Sequence, residues 1–192
     1  WGTSQWSASQ IMEAYKICDK LNLIPPIVEQ THYNLMTRDW VEREYRDLFQ
    51  RYKMGTTIWS PLESGILAGR YLNGIPEDSR YNIKHDGAST DIKPYLDHKK
   101  EWDDKLIKLK EIAEKKLNCT LAQLALAWIL VNPDVTSVIL GASRVSQLEE
   151  NYKALEIYKK LNKDILLEIE KILDNVPKGE IDYRDWKELP TR

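Results

Sequence analysis

The stretch VTSVILGASRVSQLEEN, residues 135–151, carries the local pattern that decides the fold class. Its first six residues, 135–140, are mainly β-branched or apolar and predict a buried strand. Gly141 then allows the backbone to turn, and Ser143 or Ser146 can cap the helix that follows. The stretch therefore predicts one strand–turn–helix unit.

This turn also has the features of a phosphate site. A strand, a Gly-Ala-Ser turn and a helix N-terminus direct backbone N–H groups and the positive end of a helix dipole toward one point. The alternative is an ordinary connection between a strand and a capped helix, which is common in α/β folds. The local pattern leaves both interpretations open.

Three more strands precede this unit, and amphipathic helices separate them. Pro and Gly residues mark the boundaries, and Ser7 or Ser9 and Thr120 are suitable helix caps. The predicted strands cover residues 1–4, 27–30, 56–60 and 135–140, and the predicted helices cover residues 7–21, 36–53, 95–117, 121–131, a segment ending near 155, and 163–173.

Strands that alternate with helices favour an α/β fold with a parallel sheet. A closed barrel of eight βα units needs roughly 250 residues, so four units in 192 residues correspond to about half of one. The alternative is a small open sheet of the flavodoxin type. No GxGxxG motif follows the first strand, which argues against a dinucleotide-binding Rossmann unit.

Composition narrows the possible partners and compartment. The chain is 42% hydrophobic and 30% charged with a net charge of -2, so we expect a real core and no nucleic-acid partner. The longest apolar run, residues 121–131, is too short to span a membrane. Two cysteines without metal-ligand spacing indicate a reduced, cytoplasmic protein. Because the chain starts at Trp1 in the middle of a strand pattern, we expect further sequence upstream.

Two segments lack the hydrophobic periodicity of a helix or a strand. Residues 66–94 are rich in Gly, Pro and polar residues and predict a long irregular loop, which in a compact domain is usually a lid, a binding loop or disordered. Residues 174–192 predict an extended C-terminal tail.

Several motifs, in this order and with natural spacing, resemble the aldo-keto reductases. Within that superfamily the likeness is closest to the voltage-gated potassium channel β-subunits, to which residues 11–15 and 22–27 are also similar. The resemblance runs over nearly the whole chain, 1–192, and implies the second half of a (β/α)8 TIM barrel, strands five to eight with their helices. The motifs are Gly2-Thr3-Ser4, Glu29-Gln30, Trp59-Ser60-Pro61-Leu62 with Gly65, and Gly141-Ala142-Ser143 followed by Gln147, Glu150 and Asn151.

The resemblance implies hydride transfer from NADPH to an aldehyde or ketone, with the cofactor extended across the carboxyl ends of the strands. Ser4 and Gln30 would hydrogen-bond the nicotinamide carboxamide, and Trp59 would stack on the nicotinamide ring. Taken alone, these residues are better explained as polar strand ends and a core tryptophan. Gln5 stands where the β-subunit branch usually has a basic residue.

The same resemblance implies a pyrophosphate loop. Ser60, Pro61 and Leu62 would begin it and Ser64 would continue it, with the acidic side chain of Glu63 directed away from the phosphates. In the irregular segment 66–94, two arginines match basic positions that contact the pyrophosphate and the adenosine 2′-phosphate. They are Arg70 and Arg80. A guanidinium suits phosphate, although two exposed arginines in a loop are the plain alternative.

At the opening stretch the resemblance assigns the adenosine end of the cofactor. Ser143, next to Gly141 and assisted by Gln147, would bind the 2′-phosphate and so select NADP over NAD. Glu150 and Asn151, one helical turn further along, would contact the adenine.

The family's proton-transfer group is a tyrosine with an aspartate, a lysine and a histidine, or an asparagine in the β-subunit branch. No residue of this chain matches those positions, and we expect His32, His85 and His98 to be surface residues. The chain alone is therefore expected to be inactive as an enzyme.

Two functions remain open. One is part of an NADP(H)-dependent reductase of small carbonyl compounds, and the other is a regulatory subunit that senses NADPH and binds the cytoplasmic domain of a potassium channel. The β-subunit likeness also implies a homo-oligomer, with a tetramer as the expected form. A free-standing flavodoxin-like domain is the third possibility.

Overall fold

The computed structural model describes residues 1–77, 79, 81 and 92–179. Within them, the strands are β1 (Gly2–Ser4), β2 (Val28–His32), β3 (Gly55–Trp59) and β4 (Val135–Val138). The α-helices are α1 (Ala8–Leu21), α2 (Arg46–Tyr52), α3 (Lys93–Asp97), α4 (Lys99–Ile112), α5 (Leu121–Val131), α6 (Val145–Tyr152), α7 (Ala154–Ile157) and α8 (Lys163–Leu173). Short 3-10 helices cover Glu63–Ala68 and Tyr158–Lys160, and π-helical turns cover Trp40–Glu44 and Ala113–Leu117.

The four strands form one parallel sheet in the order β1-β2-β3-β4. This confirms the predicted α/β class with helices between parallel strands. The strands follow one another in chain order, whereas a flavodoxin-like sheet has the order 2-1-3-4-5. The sheet is therefore a consecutive run of βα units, with its carboxyl ends along one edge.

The two faces of the sheet differ in burial. Side chains alternate along a strand, and the residues that point to one face are buried: Thr3, Glu29, Thr31, Thr56 and Ile58. On the other face Ser4 and Gln30 are exposed, and His32 and Trp59 are half-buried. The predicted site residues at the ends of the first three strands thus point to the open face.

Three helices begin at the side-chain caps that short polar residues favour. Ser7 and Gln10 form a reciprocal capping box at α1, and Thr120 and Gln123 form another at α5, so both predicted caps are confirmed. Asn162 caps α8 by accepting from the N–H of Ile165. Helix α5 is buried almost all round, as its sequence predicts.

The helix predicted over residues 36–53 is wrong in its first part. The Asn34 side-chain oxygen accepts hydrogen bonds from the N–H groups of Met36 and Thr37, which holds a turn where the helix was expected to start. A π-helical turn, Trp40–Glu44, then leads into α2. Similarly, the long helix predicted over 95–117 is divided into α3, α4 and the turn Ala113–Leu117.

The prediction of a buried strand at 135–140 is also wrong. Val135 and Val138 of β4 are half-buried, and Thr136 and Ser137 are exposed. The reason is position: among the residues that the structure describes, β4 lies at one edge of the four-stranded sheet and pairs with β3 alone. Apolar composition indicated a strand correctly but could not reveal that only one neighbour covers it.

The irregular segment predicted over residues 66–94 overlaps the 3-10 helix Glu63–Ala68 at its beginning and the first residues of α3 at its end. Residues 78, 80 and 82–91 lie outside the described residues, as do residues 180–192 of the predicted tail. In the part of the chain that is described, no helix is long and apolar enough to cross a membrane.

Candidate functional site

Ser4 and Gln30 lie side by side at the carboxyl ends of β1 and β2. They are register partners, and the Ser4 hydroxyl donates to the backbone carbonyl of Gln30 at 3.3 Å. Both side chains are exposed on the open face. The structure thus brings together the two residues predicted to hold the nicotinamide carboxamide.

Trp59 ends β3 and stacks on His32, its register partner on β2. The ring centroids are 4.2 Å apart and the planes differ by 16°. The prediction that His32 is a surface residue is wrong, because its side chain is 18% exposed and lies against the indole. His98 is exposed as predicted, and His85 lies outside the described residues.

Glu63, in the loop after β3, contacts the imidazole of this stacked pair. Its Oε2 lies 2.7 Å from Nε2 of His32 and 2.6 Å from the side-chain nitrogen of Asn34, which donates to it. Asn34 is fully buried and also donates to the Ser60 carbonyl at 3.1 Å. Glu63, His32 and Asn34 therefore form one polar cluster that joins the ends of β2 and β3. We call it the His32 cluster.

The segment 60–65, here called the β3 loop, has a strained backbone. Ser60, Glu63 and Ser64 have φ angles of 48°, 44° and 54°, in the left-handed region that non-glycine residues seldom adopt. Gly65, with φ of 99°, is suited to its conformation. Strain of this kind concentrates at functional sites and needs support from its surroundings. Here the His32 cluster supplies that support.

Within the β3 loop, Pro61 is buried and Leu62 packs against the core. Proline has no N–H, so Pro61 shapes the loop and donates nothing to a ligand. The N–H of Glu63 bonds the Ser60 carbonyl at 3.0 Å, and the N–H of Gly65 bonds the Leu62 carbonyl at 2.9 Å. The Ser64 carbonyl accepts from the hydroxyl of Tyr71 at 2.9 Å.

Of the two predicted phosphate-binding arginines, Arg70 is exposed and follows the 3-10 helix Glu63–Ala68. Its backbone N–H bonds the carbonyl of Gly65, which ties it to the end of the β3 loop. Arg80 lies outside the described residues.

At the end of β4, Ser143 contacts Gln147 rather than capping the helix. The N–H and hydroxyl of Ser143 lie 2.9 Å and 3.0 Å from Oε1 of Gln147. Arg144 occupies the N-cap position and makes no side-chain capping hydrogen bond, so the prediction that Ser143 or Ser146 caps α6 is wrong. The reason is that Gln147 reaches back over the first turn and binds Ser143 itself.

Gly141 is exposed and its φ lies outside the left-handed region, so its flexibility is not needed for this turn. A Cβ at this position would meet no atom of the described residues within 4 Å.

Glu150 and Asn151 lie further along α6, where Glu150 is exposed and Asn151 is buried. Gln123 of α5 donates to the Glu150 backbone carbonyl at 2.9 Å, which fixes α6 against the start of α5. A groove of about 790 Å³ separates this end of α6 from the 3-10 helix and α4. Most of the residues that line it are polar, such as Glu149, Glu150 and Lys110, and a few are apolar, such as Leu72.

Sequence reasoning missed the three members of the His32 cluster. A signal was present, because the two-residue period of a strand places His32 on the same face as Gln30. Its contacts with Glu63 and Asn34 could not be inferred, since they depend on the path of two loops.

Comparison with known proteins identifies the family. Residues 1–174 match the aldo/keto reductase family. A protein of Arabidopsis thaliana described as a probable voltage-gated potassium channel subunit beta is 45% identical over 188 residues, which cover 96% of this chain and 55% of that relative. The chain thus spans about half the length of this relative. The family match confirms the resemblance to the aldo/keto reductases, and the relative confirms the likeness to a channel β-subunit. The chain belongs to the aldo/keto reductase family.

Proposed function

We propose that this chain forms the cofactor-binding part of an NADP(H)-dependent reductase of aldehydes and ketones, and that it is the second half of the family's (β/α)8 barrel. The observation that carries the proposal is the position of Ser4, Gln30 and Trp59 at the carboxyl ends of three consecutive strands. That edge is where parallel α/β folds bind their ligands.

At the nicotinamide end, the neighbouring side chains of Ser4 and Gln30 offer a hydroxyl and an amide on the open face. These groups match the donor and acceptor of a carboxamide. The indole of Trp59 offers an aromatic surface beside them. When bound, the cofactor would supply the hydride, and these residues would fix which face of the ring donates it.

At the phosphate end, the strained β3 loop and Arg70 follow β3, and Ser143 and Gln147 follow β4. Gly141 is exposed and has no side chain, so a phosphate group can approach its backbone closely. We propose that Arg70 contacts the pyrophosphate, that Arg80 and Ser143 contact the 2′-phosphate, and that Glu150 and Asn151 contact the adenine.

The relative named as a channel subunit favours a second function. We propose as the alternative that the protein binds NADPH as a sensed ligand and assembles, as a tetramer, with the cytoplasmic domain of a potassium channel. The tyrosine-centred group that donates the proton in reductases has no match in this chain, so turnover would depend on residues outside it. NADPH-dependent reduction of a simple aldehyde, measured in a protein that contains the complete barrel, separates the two functions, since only the first requires it.

The cofactor assignment is tested by measuring the affinities for NADPH and NADH. Ser143→Ala combined with Arg80→Ala should weaken NADPH binding at least about tenfold, the equivalent of one charge-assisted hydrogen bond, and leave NADH nearly unchanged. Ser146→Ala, one turn away on the exposed start of α6, is the matched control and should change neither. Equal losses for both cofactors would contradict the role of these residues.

Assembly is tested separately. Sedimentation of the purified protein at several concentrations reports its oligomeric state, and co-purification with a channel cytoplasmic domain tests the regulatory alternative. In a protein that contains the complete barrel, binding of NADPH without aldehyde turnover, together with channel association, would favour the second function over the first.

A further inference from the structure

The geometry around His32 fixes where its ring proton lies. Nε2 of His32 is 2.7 Å from a carboxylate oxygen of Glu63, which can only accept, so Nε2 must carry the hydrogen. The side-chain nitrogen of Asn34 is 3.1 Å from the same Nε2, but it cannot donate to a nitrogen that is already protonated. Glu63 therefore orients the imidazole.

Hydrogen bonds hold both the oxygen and the nitrogen of the Asn34 side-chain amide. Its oxygen accepts from the N–H groups of Met36 and Thr37, which settles the orientation of the amide. Its nitrogen donates to Glu63 and to the Ser60 carbonyl, on the β3 loop. A fully buried side chain thus holds Glu63 toward His32 and holds the loop at its strained residues.

The imidazole in turn covers one face of the Trp59 indole, at a centroid distance of 4.2 Å and nearly parallel. A ligand that stacks on this tryptophan must use the opposite face. The orientation of the indole then depends on the ring behind it, because stacked aromatic pairs hold a preferred separation and angle.

We propose that His32 is a positioning residue for the Trp59 indole in cofactor binding, and that Glu63 and Asn34 hold it there. This inference rests on the proposed function, since it assumes that a nicotinamide stacks on Trp59. It assigns a role to an acidic side chain beside a predicted phosphate loop: the Glu63 carboxylate is bound by His32 and Asn34 and serves the nicotinamide end of the site.

Two ligands distinguish positioning from a general effect on the fold. NADPH carries the nicotinamide that would stack on Trp59, whereas adenosine 2′,5′-bisphosphate has only the adenosine end. Affinities for both should be measured by calorimetry for the wild type and for Glu63→Ala, Glu63→Gln and His32→Ala. His98→Ala, on an exposed histidine, is the control. Thermal unfolding of each variant verifies that it is folded.

Glu63→Ala and His32→Ala should each bind NADPH about tenfold more weakly, a loss comparable to one hydrogen bond to a charged group, with the affinity for adenosine 2′,5′-bisphosphate unchanged. Glu63→Gln retains an oxygen that accepts from Nε2, so it should restore NADPH affinity to within about twofold of the wild type.

The possible outcomes separate the two proposals. Wild-type protein that binds neither ligand would overturn the proposed function itself. Wild-type protein that binds both, together with variants whose NADPH affinity is unchanged, would overturn the positioning role alone. Tighter NADPH binding by His32→Ala would also overturn it, because the imidazole would then compete with the nicotinamide for the indole.

Discussion

Arg38 and Glu170 are 132 positions apart in the chain, yet Nη1 of Arg38 lies 2.5 Å from Oε2 of Glu170. Glu42 binds the same guanidinium through two further contacts of 2.9 Å and 2.7 Å, and the guanidinium lies 5.0 Å from the ring centre of Trp128. Arg38 is 6% exposed. Burial disfavours its charge, but the bonds to Glu42 and Glu170 more than compensate, and its pKa is raised. The pair joins α8 to the turn after β2.

Arg38→Met should lower the free energy of unfolding by about 2–3 kcal/mol, because it removes the charge-assisted hydrogen bonds to two half-buried carboxylates. Urea denaturation measures this change. Arg43→Met is the control: Arg43 is 39% exposed, and the loss of its surface ion pairs with Asp39 and Glu44 should cost no more than about 1 kcal/mol. Similar losses for the two variants would contradict a special role for the buried arginine.

Glu29 should make stability depend on pH. It is 1% exposed, accepts from the Thr3 hydroxyl and the Trp6 N–H, and burial raises its pKa. The folded protein therefore binds this proton more readily than the unfolded chain, so stability falls as pH rises above the ordinary glutamate value of 4.5. Relative to the wild type, Glu29→Gln should become progressively more stable as pH increases through this range.

Denaturation series at several pH values test this expectation. Glu101→Gln provides a contrast, since Lys105 lowers the pKa of the exposed Glu101. Relative to the wild type, Glu101→Gln should therefore become less stable as the pH rises. A difference between Glu29→Gln and the wild type that does not vary with pH would rule out the linkage.

Cys119 should resist thiol reagents in the folded protein. Burial raises the pKa of its thiol to about 11, so the reactive thiolate is scarce at neutral pH. Mass spectrometry after iodoacetamide treatment at pH 7.5 should find Cys119 unmodified in native protein and modified in denaturant. Rapid native labelling of Cys119 would show that its surroundings open readily.

The start of α5 should contribute measurably to stability. Thr120→Ala removes the acceptor of the Gln123 N–H and should cost about 1 kcal/mol, whereas Thr120→Ser keeps it and should cost less. Gln123→Ala should cost more than the loss of the cap alone, because it also frees the Glu150 carbonyl of α6. Chemical denaturation of the three variants gives the order; equal effects of Thr120→Ala and Gln123→Ala would contradict the link to α6.

The sequence alone was sufficient to predict the features that depend on local residue patterns. The strand at Trp59, the caps Ser7 and Thr120 and the buried helix α5 follow from periodicity and from short polar residues before apolar runs. Features that depend on neighbours in space were missed. The Asn34 side chain accepts from two N–H groups and forms a turn where a helix was predicted to begin. Ser143 donates to Gln147 and does not cap α6. Among the described residues β4 has one neighbouring strand, which leaves it exposed.

The candidate site shows the same division. Ser4, Gln30 and Trp59 were predicted from motifs, and strand register then places Ser4 beside Gln30. His32 was expected at the surface because it matches no catalytic position of the family. Its partners Glu63 and Asn34 are brought to it by loops, whose paths a residue pattern does not specify.

The consecutive order of the strands also has a kinetic consequence. The contact between Ser4 and Gln30 closes a separation of 26 residues, whereas the Thr56 hydroxyl reaches the Asp134 carbonyl across 78. The entropy of loop closure makes the longer connection costlier by about 1 kcal/mol. We therefore expect β1, β2 and β3 to assemble first and β4 to join last, so amide protons of β4 should become protected later than those of β2 in pulse-labelling experiments during refolding.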